Sequence, residues 1–234
     1  MQIVITGASK GIGKAIATIF AKDNAHTLII CARNTDALAE LKNDLEAAYP
    51  ATEVLIKACD VSDKEDINQF AQYILNLDKP IDILINNAGI FIPGSVYNEA
   101  EGSLEEMLQV NLFSAYHLTR KLIPQFIAQK KGTIFNICSI ASFTPYPNGG
   151  SYSISKYALS GFTKNLREEM KPFGIKVCGV YPGATMSDSW AGSGVDATRI
   201  MEAEDVAKMI HAAMQLSPQA VMEDIVLRPQ LGDL

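Results

Sequence analysis

The sequence alternates short, uninterrupted apolar runs rich in Val and Ile with longer stretches whose apolar residues recur at helical spacing. Continuous apolar runs are typical of strands covered on both faces, and the helical recurrence is typical of helices that bury one face. The runs are Ile3–Ile5, Thr27–Cys31, Val54–Ala58, Ile81–Ile85, Thr133–Cys138, Lys176–Tyr181 and Val221–Leu227. The predicted helices are Lys14–Lys22, Thr35–Ala48, Lys64–Asn76, Leu104–Gln129, Tyr152–Lys171 and Glu204–Leu216.

Repeated strand–helix–strand units favour right-handed crossovers that place helices on both faces of one sheet. We therefore predict an α/β fold: a Rossmann-like, doubly wound, seven-stranded parallel sheet with helices on both faces. A length of 234 residues suits one domain of this kind, spanning residues 1–234. The irregular stretches around 90–102, 140–150 and 184–200 each follow a predicted strand. We expect them to be substrate loops at the carboxyl edge of the sheet, where ligands bind in such folds.

Composition excludes several other classes of protein. The net charge of −6 argues against a nucleic-acid partner. The chain shows neither a secretory leader nor an apolar stretch of the roughly 18 residues that a membrane span needs, so we expect a cytoplasmic protein without a membrane partner. Four cysteines without a C-x-x-C pair suggest buried, reduced thiols, and three widely separated histidines predict no metal site.

The first predicted strand runs into a glycine-rich turn, Thr6-Gly7-Ala8-Ser9-Lys10-Gly11-Ile12-Gly13, and then into a helix. Glycines allow the backbone to approach a pyrophosphate, and a helix N-terminus offers unpaired N–H groups and the positive end of a dipole. This context predicts a dinucleotide site formed by Gly7, Ser9, Lys10, Gly11, Ile12 and Gly13. The hydroxyl of a Walker loop is absent, because Lys14 is followed by Ala15.

The second predicted strand ends in Cys31-Ala32-Arg33, without the acid that commonly binds the ribose 2′-hydroxyl of NAD. A guanidinium suits a 2′-phosphate in charge and in the geometry of its donors, and Lys10 adds a second cation. We therefore predict NADP(H) as the cofactor.

Tyr152 and Lys156 are four residues apart and share one face of a predicted helix. An ammonium near a phenol favours the phenolate, so Lys156 is expected to lower the pKa of Tyr152 and make it a usable proton donor or acceptor. Ser139, directly after a predicted strand, is a candidate to polarise a substrate carbonyl, and Ser142 is its rival.

The chain contains five short motifs in this order: T-G-x-x-x-G-I-G at 6–13, Asn86-Asn87-Ala88-Gly89, Ser139, Tyr152-x-x-x-Lys156 and Pro182-Gly183. In order and approximate spacing they resemble the single-domain short-chain dehydrogenases/reductases over nearly the whole chain. The resemblance implies an oxidoreductase that interconverts a carbonyl and an alcohol, with Asn111, Ser139, Tyr152 and Lys156 as its catalytic residues. In that family the asparagine anchors a water that relays protons to the lysine, and the lysine also binds the nicotinamide ribose.

The same resemblance implies further cofactor contacts. Asp60 and Val61 are expected beside the adenine, Asn87, Ala88 and Gly89 along the cofactor, and Pro182 and Gly183 beside the nicotinamide. The family usually has a threonine four residues after that glycine to bind the carboxamide. This chain has Ser187 there, with Thr185 as a second candidate.

Two branches of the family compete. The motifs resemble 3-oxoacyl-carrier-protein reductases, with Lys130, Lys131, Arg167 and Lys171 as a candidate patch for an acidic carrier. The ending Val221–Pro229 resembles bacterial sepiapterin-reductase-type members. The partner predicted in either case is a small-molecule carbonyl substrate, and the resemblance implies a homodimer or homotetramer. A non-catalytic NADP(H)-binding sensor is the alternative of another class, disfavoured because all four catalytic positions are occupied as in the family.

Overall fold

The computed structural model describes residues 1–23, 25–186 and 194–233. It contains a seven-stranded sheet in the order β3-β2-β1-β4-β5-β6-β7, with every neighbouring pair parallel. The strands are β1 Gln2–Thr6, β2 Thr27–Ala32, β3 Glu53–Ala58, β4 Ile83–Asn86, β5 Thr133–Ile137, β6 Lys176–Pro182 and β7 Asp224–Leu227. The fold class predicted from the sequence is confirmed. Winding reverses between β1 and β4, and this is where such folds bind ligands.

Seven α-helices of the described chain cover the two faces of the sheet: α1 Gly11–Lys22, α2 Thr35–Ala48, α3 Lys64–Leu75, α4 Ser103–Leu108, α5 Ser114–Gln129, α6 Gly150–Met170 and α7 Ala203–Met214. One apolar core joins Ile3 and Ile5 of β1 to α1, α2 and α7. The other joins Val4 of the same strand to α3, α5 and α6. Alternate residues of one strand thus enter opposite cores, which explains why the strands are apolar without interruption.

The predicted helix Leu104–Gln129 is not a single α-helix. A π-helical turn, Gln109–Phe113, separates α4 from α5. A π-turn carries one extra residue per turn and is often found at functional sites. Asn111 lies in this turn with its side chain buried, so the change of helical pitch determines where that side chain points.

A buried hydrogen-bond network ties α5 and α6 to the centre of the sheet. Asn86 and Asn136 are paired neighbours on β4 and β5. The Asn86 amide nitrogen donates to Asn136 Oδ1 at 2.8 Å and to Thr119 of α5 at 2.9 Å. The Asn136 amide nitrogen donates to Thr163 of α6 at 2.9 Å. Asn86 Oδ1 has no partner among the described residues, but the other amide groups are bonded. Directed bonds of this kind select one packing arrangement, which a purely apolar contact would not do.

All four cysteines are unpaired and buried, as predicted. Cys31 and Cys178 lie in β2 and β6, while Cys59 and Cys138 directly follow β3 and β5. Of the helices in the described ranges, none combines the length and the apolarity that a membrane crossing requires.

Replacing Asn136 by Ala should lower the free energy of unfolding by about 3 kcal/mol, because the Asn86 amide and the Thr163 hydroxyl each lose a buried partner. Urea unfolding measures this loss. Asn165→Ala, at an exposed position of α6, is the control and should change stability by less than about 0.5 kcal/mol. Equal stability of the two variants would show that the network does not support the sheet.

Candidate active site

The glycine-rich turn between β1 and α1 is adapted to close backbone approach. Gly7 and Gly11 have φ of +65° and +54°, in the left-handed region. A Cβ at Gly13 would lie 2.5 Å from the side-chain nitrogen of Asn87, so a larger residue there would push α1 away from the sheet. Lys10 is the N-cap of α1 and makes no side-chain cap bond, and the first turn holds no acid. The first backbone N–H groups of α1 are thus well placed for a phosphate.

The segment after β4 is fastened to this turn. The Asn87 amide nitrogen donates to the carbonyl oxygens of Thr6 and Gly7, at 2.9 and 3.0 Å. The backbone N–H groups of Asn87 and Ala88 both donate to Thr6 Oγ1, at 3.0 and 3.1 Å. Asn87, predicted as a cofactor contact, therefore uses its side chain to hold two loops together. The bracing role of Thr6 was not predicted, and its only signal was its place just before the first glycine.

Arg33 and Asp60 follow neighbouring strands, β2 and β3, at the carboxyl edge. Two hydrogen bonds to Asp60 Oδ1 from Ser62, at 2.7 Å from the hydroxyl and 2.9 Å from the backbone N–H, lower the pKa of Asp60. The positive charge of Arg33 lowers that pKa further. Because Ser62 satisfies the carboxylate, the exposed Arg33 guanidinium stays accessible to a second anion. Val61, the other residue predicted at the adenine, is half-buried beside Asp60.

Tyr152 lies in the first turn of α6 and is half-buried. Burial raises the pKa of its phenol, and a side-chain hydrogen bond with Ser139 lowers it in part. The ring of Phe91 meets the ring of Tyr152 edge to face, with centroids 5.1 Å apart. With a raised pKa the phenol is protonated at neutral pH, which is the form required of a proton donor.

The prediction that Lys156 lowers the pKa of Tyr152 is wrong for this structure. The Lys156 ammonium lies 5.8 Å from the centroid of the Tyr152 ring and donates to the carbonyl oxygen of Ile137, at 2.8 Å. Burial lowers the pKa of Lys156 itself to about 8. Desolvation thus acts on both groups and disfavours the charged form of each.

The Asn111 side chain makes three hydrogen bonds, two to Ile90 and one to Ser155. Its Oδ1 accepts from the backbone N–H of Ile90 at 2.7 Å, and its Nδ2 donates to the Ile90 carbonyl at 3.0 Å and to Ser155 Oγ at 2.9 Å. A Cβ built on Gly89 would lie 3.3 Å from Asn111 Oδ1 and 3.4 Å from Lys156 Nζ, so both polar groups face the same backbone position. The structure therefore brings Asn111 and Lys156 together, while the water relay stays a prediction.

Ser139 is distinguished from its neighbours by its contacts. The Ser142 hydroxyl accepts from the backbone N–H of Ser139 at 3.2 Å, and Ser139 Oγ accepts from the N–H of Ala141 at 3.1 Å. This reciprocal capping box makes Ser142 a brace for Ser139. Of the two candidates, it is Ser139 whose side chain lowers the pKa of Tyr152.

The segment after β6 passes Pro182, the last residue of the strand, and Gly183, whose N–H donates to Leu227 at 2.8 Å. Thr185 is buried, and its hydroxyl donates to the Gly183 carbonyl at 2.9 Å, which leaves its oxygen free to accept. Ser187, the other predicted carboxamide contact, lies outside the described residues.

The predicted substrate loops carry several aromatic and apolar side chains, and one of them, Phe91, packs against Tyr152. Phe143, Tyr146 and Met186 are each exposed by about two fifths (44%, 37% and 41%), so their apolar surface is accessible to a ligand. Ile140, at the start of the loop around 140–150, is only 8% exposed. Trp190 lies outside the described residues.

The candidate carrier-docking patch lies away from these residues. Lys130 and Lys131 follow α5 and precede β5, and Lys171 precedes β6, so all three lie at the amino edge of the parallel sheet. Arg167 is buried and forms an ion pair with Asp224 at 2.6 Å. A carrier bound there would be at the opposite edge from Tyr152 of the same chain.

Known proteins resemble the chain in both sequence and fold. The family profile described as short chain dehydrogenase matches residues 1–197. The sepiapterin reductase of Chlorobaculum tepidum is 29% identical over 240 residues, covering 99% of this chain and 97% of that protein.

Two solved structures extend the comparison. A metagenomic short-chain oxidoreductase in complex with NADP has a TM-score of 0.85 at 29% identity, with 98% of this chain and 97% of that chain covered. The 3-oxoacyl-[acyl-carrier protein] reductase of Brucella melitensis has a TM-score of 0.86 at 27% identity, with 97% and 87% covered. The similarity therefore extends over the sheet and the loops that carry the candidate site.

The lowered pKa of Lys156 predicts a pH-dependent stability. Below a pKa of about 8 the folded chain carries a buried ammonium, whereas the unfolded chain keeps its proton up to about 10.5. Between these values the unfolded state binds more protons, so stability rises with pH. Relative to Lys156→Met, the wild type should gain about 2–3 kcal/mol from pH 8 to pH 10 in urea unfolding. A difference between the two proteins that does not change with pH would contradict the lowered pKa.

Proposed function

We propose that this chain, which belongs to the short chain dehydrogenase family and is an oxidoreductase of that family, reduces a carbonyl compound to an alcohol with NADPH. The proximity of Ser139, directly after β5, to a protonated Tyr152 in the first turn of α6 is the observation that carries this proposal. The Tyr152 phenol, as proton donor, and the Ser139 hydroxyl, as hydrogen-bond donor, can then both reach the oxygen of a carbonyl that is being reduced.

NADP(H) fits the residues at the edge of β1 and β2. The glycine-rich turn offers N–H donors for the pyrophosphate, and the exposed Arg33 and Lys10 offer two cations and no competing acid at the end of β2. A related short-chain oxidoreductase was solved in complex with NADP. Bound NADPH would supply the hydride, and the segments at Asn87–Gly89 and Pro182–Thr185 would line its nicotinamide half.

The chain's own residues then provide the proton and the orientation. Tyr152 donates its phenolic proton to the substrate oxygen as the carbonyl is reduced. Ser139 donates a hydrogen bond to the same oxygen and stabilises its developing negative charge. Lys156, which its hydrogen bond to the Ile137 carbonyl holds beside the Tyr152 ring, would bind the nicotinamide ribose.

A free small carbonyl compound is favoured over a carrier-bound thioester. The candidate carrier patch lies at the opposite edge from Tyr152, and the exposed apolar side chains of the substrate loops, Phe143, Tyr146 and Met186, suit a compact apolar substrate. Similarity to a sepiapterin reductase along nearly the whole of both chains supports a ketone or dicarbonyl substrate. A 3-oxoacyl thioester is the second candidate, supported by the fold shared with the Brucella melitensis enzyme.

We further propose a cytoplasmic homodimer or homotetramer. A groove of about 890 Å³ runs between α5 and α6, lined mainly by apolar side chains that include Tyr116, Ile123 and Phe162. A second copy of the chain packed there would cover this surface.

Loss of NADPH absorbance across a panel of carbonyl compounds tests the function. The panel is an acetoacetyl thioester, sepiapterin, a diketone and an aromatic aldehyde, each repeated with NADH. We expect turnover with NADPH, little with NADH, and the highest kcat/KM for sepiapterin or the diketone. Tight NADPH binding without turnover of any compound would instead favour the non-catalytic sensor.

Replacing Arg33 by Ala tests the choice of cofactor. Loss of a charge-assisted hydrogen bond to the 2′-phosphate should raise the KM for NADPH roughly ten- to a hundredfold. The KM for NADH should hardly change, because NADH lacks that phosphate. The control is Lys164→Ala, which removes a positive charge from an exposed position of α6. An equal effect of Arg33→Ala on both cofactors would remove Arg33 from the 2′-phosphate site.

A further inference from the structure

The helix that carries Tyr152 begins without a cap of its own. α6 starts at Gly150, its N-cap is Gly149, and no side chain of the N-cap bonds to the first turn. Glycine is the poorest helix former after proline, and the first N–H groups of any helix need partners from outside. Tyr152 is the third residue of this helix, so its position depends on how that first turn is held.

A neighbouring loop supplies the missing partners. We call residues 91–99 the strap, because they cross the start of α6 and contact it along their length. The Gly94 carbonyl accepts from the N–H of Gly150 at 3.0 Å, and the N–H of Gly94 donates to the carbonyl of Asn148 at 3.0 Å. At the start of the strap, the Phe91 ring packs against the Tyr152 ring.

Glu99, at the far end of the strap, bonds to Ser151, the residue directly before Tyr152. Its Oε2 accepts from the backbone N–H of Ser151 at 3.3 Å, and its Oε1 accepts from the Ser151 hydroxyl in a short hydrogen bond. Ser151 is 1% exposed and Glu99 is half-buried. A carboxylate at a helix N-terminus is also stabilised by the helix dipole.

The close approach of the strap is built into its sequence. A Cβ at Gly94 would lie 2.6 Å from the Cβ of Glu99, so any larger residue would force the Glu99 side chain off Ser151. The contact between Glu99 and Ser151 therefore depends on a glycine at position 94. Among the described residues, Glu99 is the only side chain that bonds to the N–H of Ser151.

We propose that Glu99 is a positioning residue for the reaction: by capping Ser151 it fixes the first turn of α6 and with it the Tyr152 hydroxyl. This proposal rests on the proposed reductase function, in which Tyr152 donates the proton. Glu99 itself touches neither the substrate nor the proton. Its effect should therefore fall on the chemical step and leave the glycine-rich turn, where NADPH is proposed to bind, unaltered.

The steady-state test uses Glu99→Ala, Glu99→Gln and, as a matched control, Glu101→Ala, which removes an exposed carboxylate two residues along the chain. Displacing a catalytic group by about 1 Å can cost up to 10²-fold in rate, so we expect kcat of Glu99→Ala to fall roughly tenfold or more. The KM for NADPH and the NADPH binding stoichiometry should not change. Glu99→Gln should recover most of the rate, because a carboxamide oxygen can still accept from Ser151. A Glu99→Ala enzyme with the kcat of Glu101→Ala would overturn the proposal.

Amide hydrogen exchange tests the cap without relying on turnover. In Glu99→Ala the amides of residues 151–153 should exchange at least roughly tenfold faster than in the wild type, because a frayed helix end loses protection. Those of Glu101→Ala should match the wild type. Unchanged exchange in Glu99→Ala would overturn the cap even if no substrate were turned over. A wild type without turnover would count against the proposed function alone.

Discussion

The pairing of Asn86 with Asn136 across β4 and β5 is the contact on which the rest of the candidate site depends. The two strands meet at the centre of the sheet, and the two amides bond there to Thr119 and Thr163. Thr119 belongs to α5, which continues from the π-turn of Asn111, and Thr163 belongs to α6, which carries Tyr152 and Lys156. One buried network therefore sets the distance of both helices from the strand ends. Its cost in desolvation is offset only while these three hydrogen bonds are kept.

The parallel direction of all seven strands determines where the candidate active site lies. Every strand ends at the same edge, so the glycine-rich turn, Arg33, Asp60 and Ser139 all come to one side of the molecule. The electrostatics of the site then follow from burial. Partial burial raises the pKa of the Tyr152 phenol, which stays protonated, and burial lowers the pKa of the Lys156 ammonium, which gives up its proton more easily. In the resting site Tyr152 is therefore protonated, which is the form that can donate a proton during reduction.

The order of strands and helices was predictable from the sequence because continuous apolar runs and helical spacing are local signals. The same holds for the glycine-rich turn and for the Tyr152–Lys156 pair, whose residues are close in the chain. Three features were not predictable. The π-turn at Asn111 has no local signature within an otherwise helical pattern. The Asn86–Asn136 pair joins residues fifty positions apart. The raised pKa of Tyr152 reflects burial, which sequence spacing alone does not measure, so the expected effect of Lys156 was wrong.

The most direct test of the account compares single-turnover oxidation of bound NADPH by the wild type, Tyr152→Phe and Tyr157→Phe, each with the best carbonyl substrate of the panel. Tyr157 is an exposed phenol on the same helix and serves as the matched control. The account predicts equal NADPH affinity for all three proteins, an unchanged rate for Tyr157→Phe, and a rate lower by about 10²–10⁴-fold for Tyr152→Phe. A Tyr152→Phe enzyme that oxidises NADPH at the wild-type rate would contradict the central claim that this phenol supplies the proton.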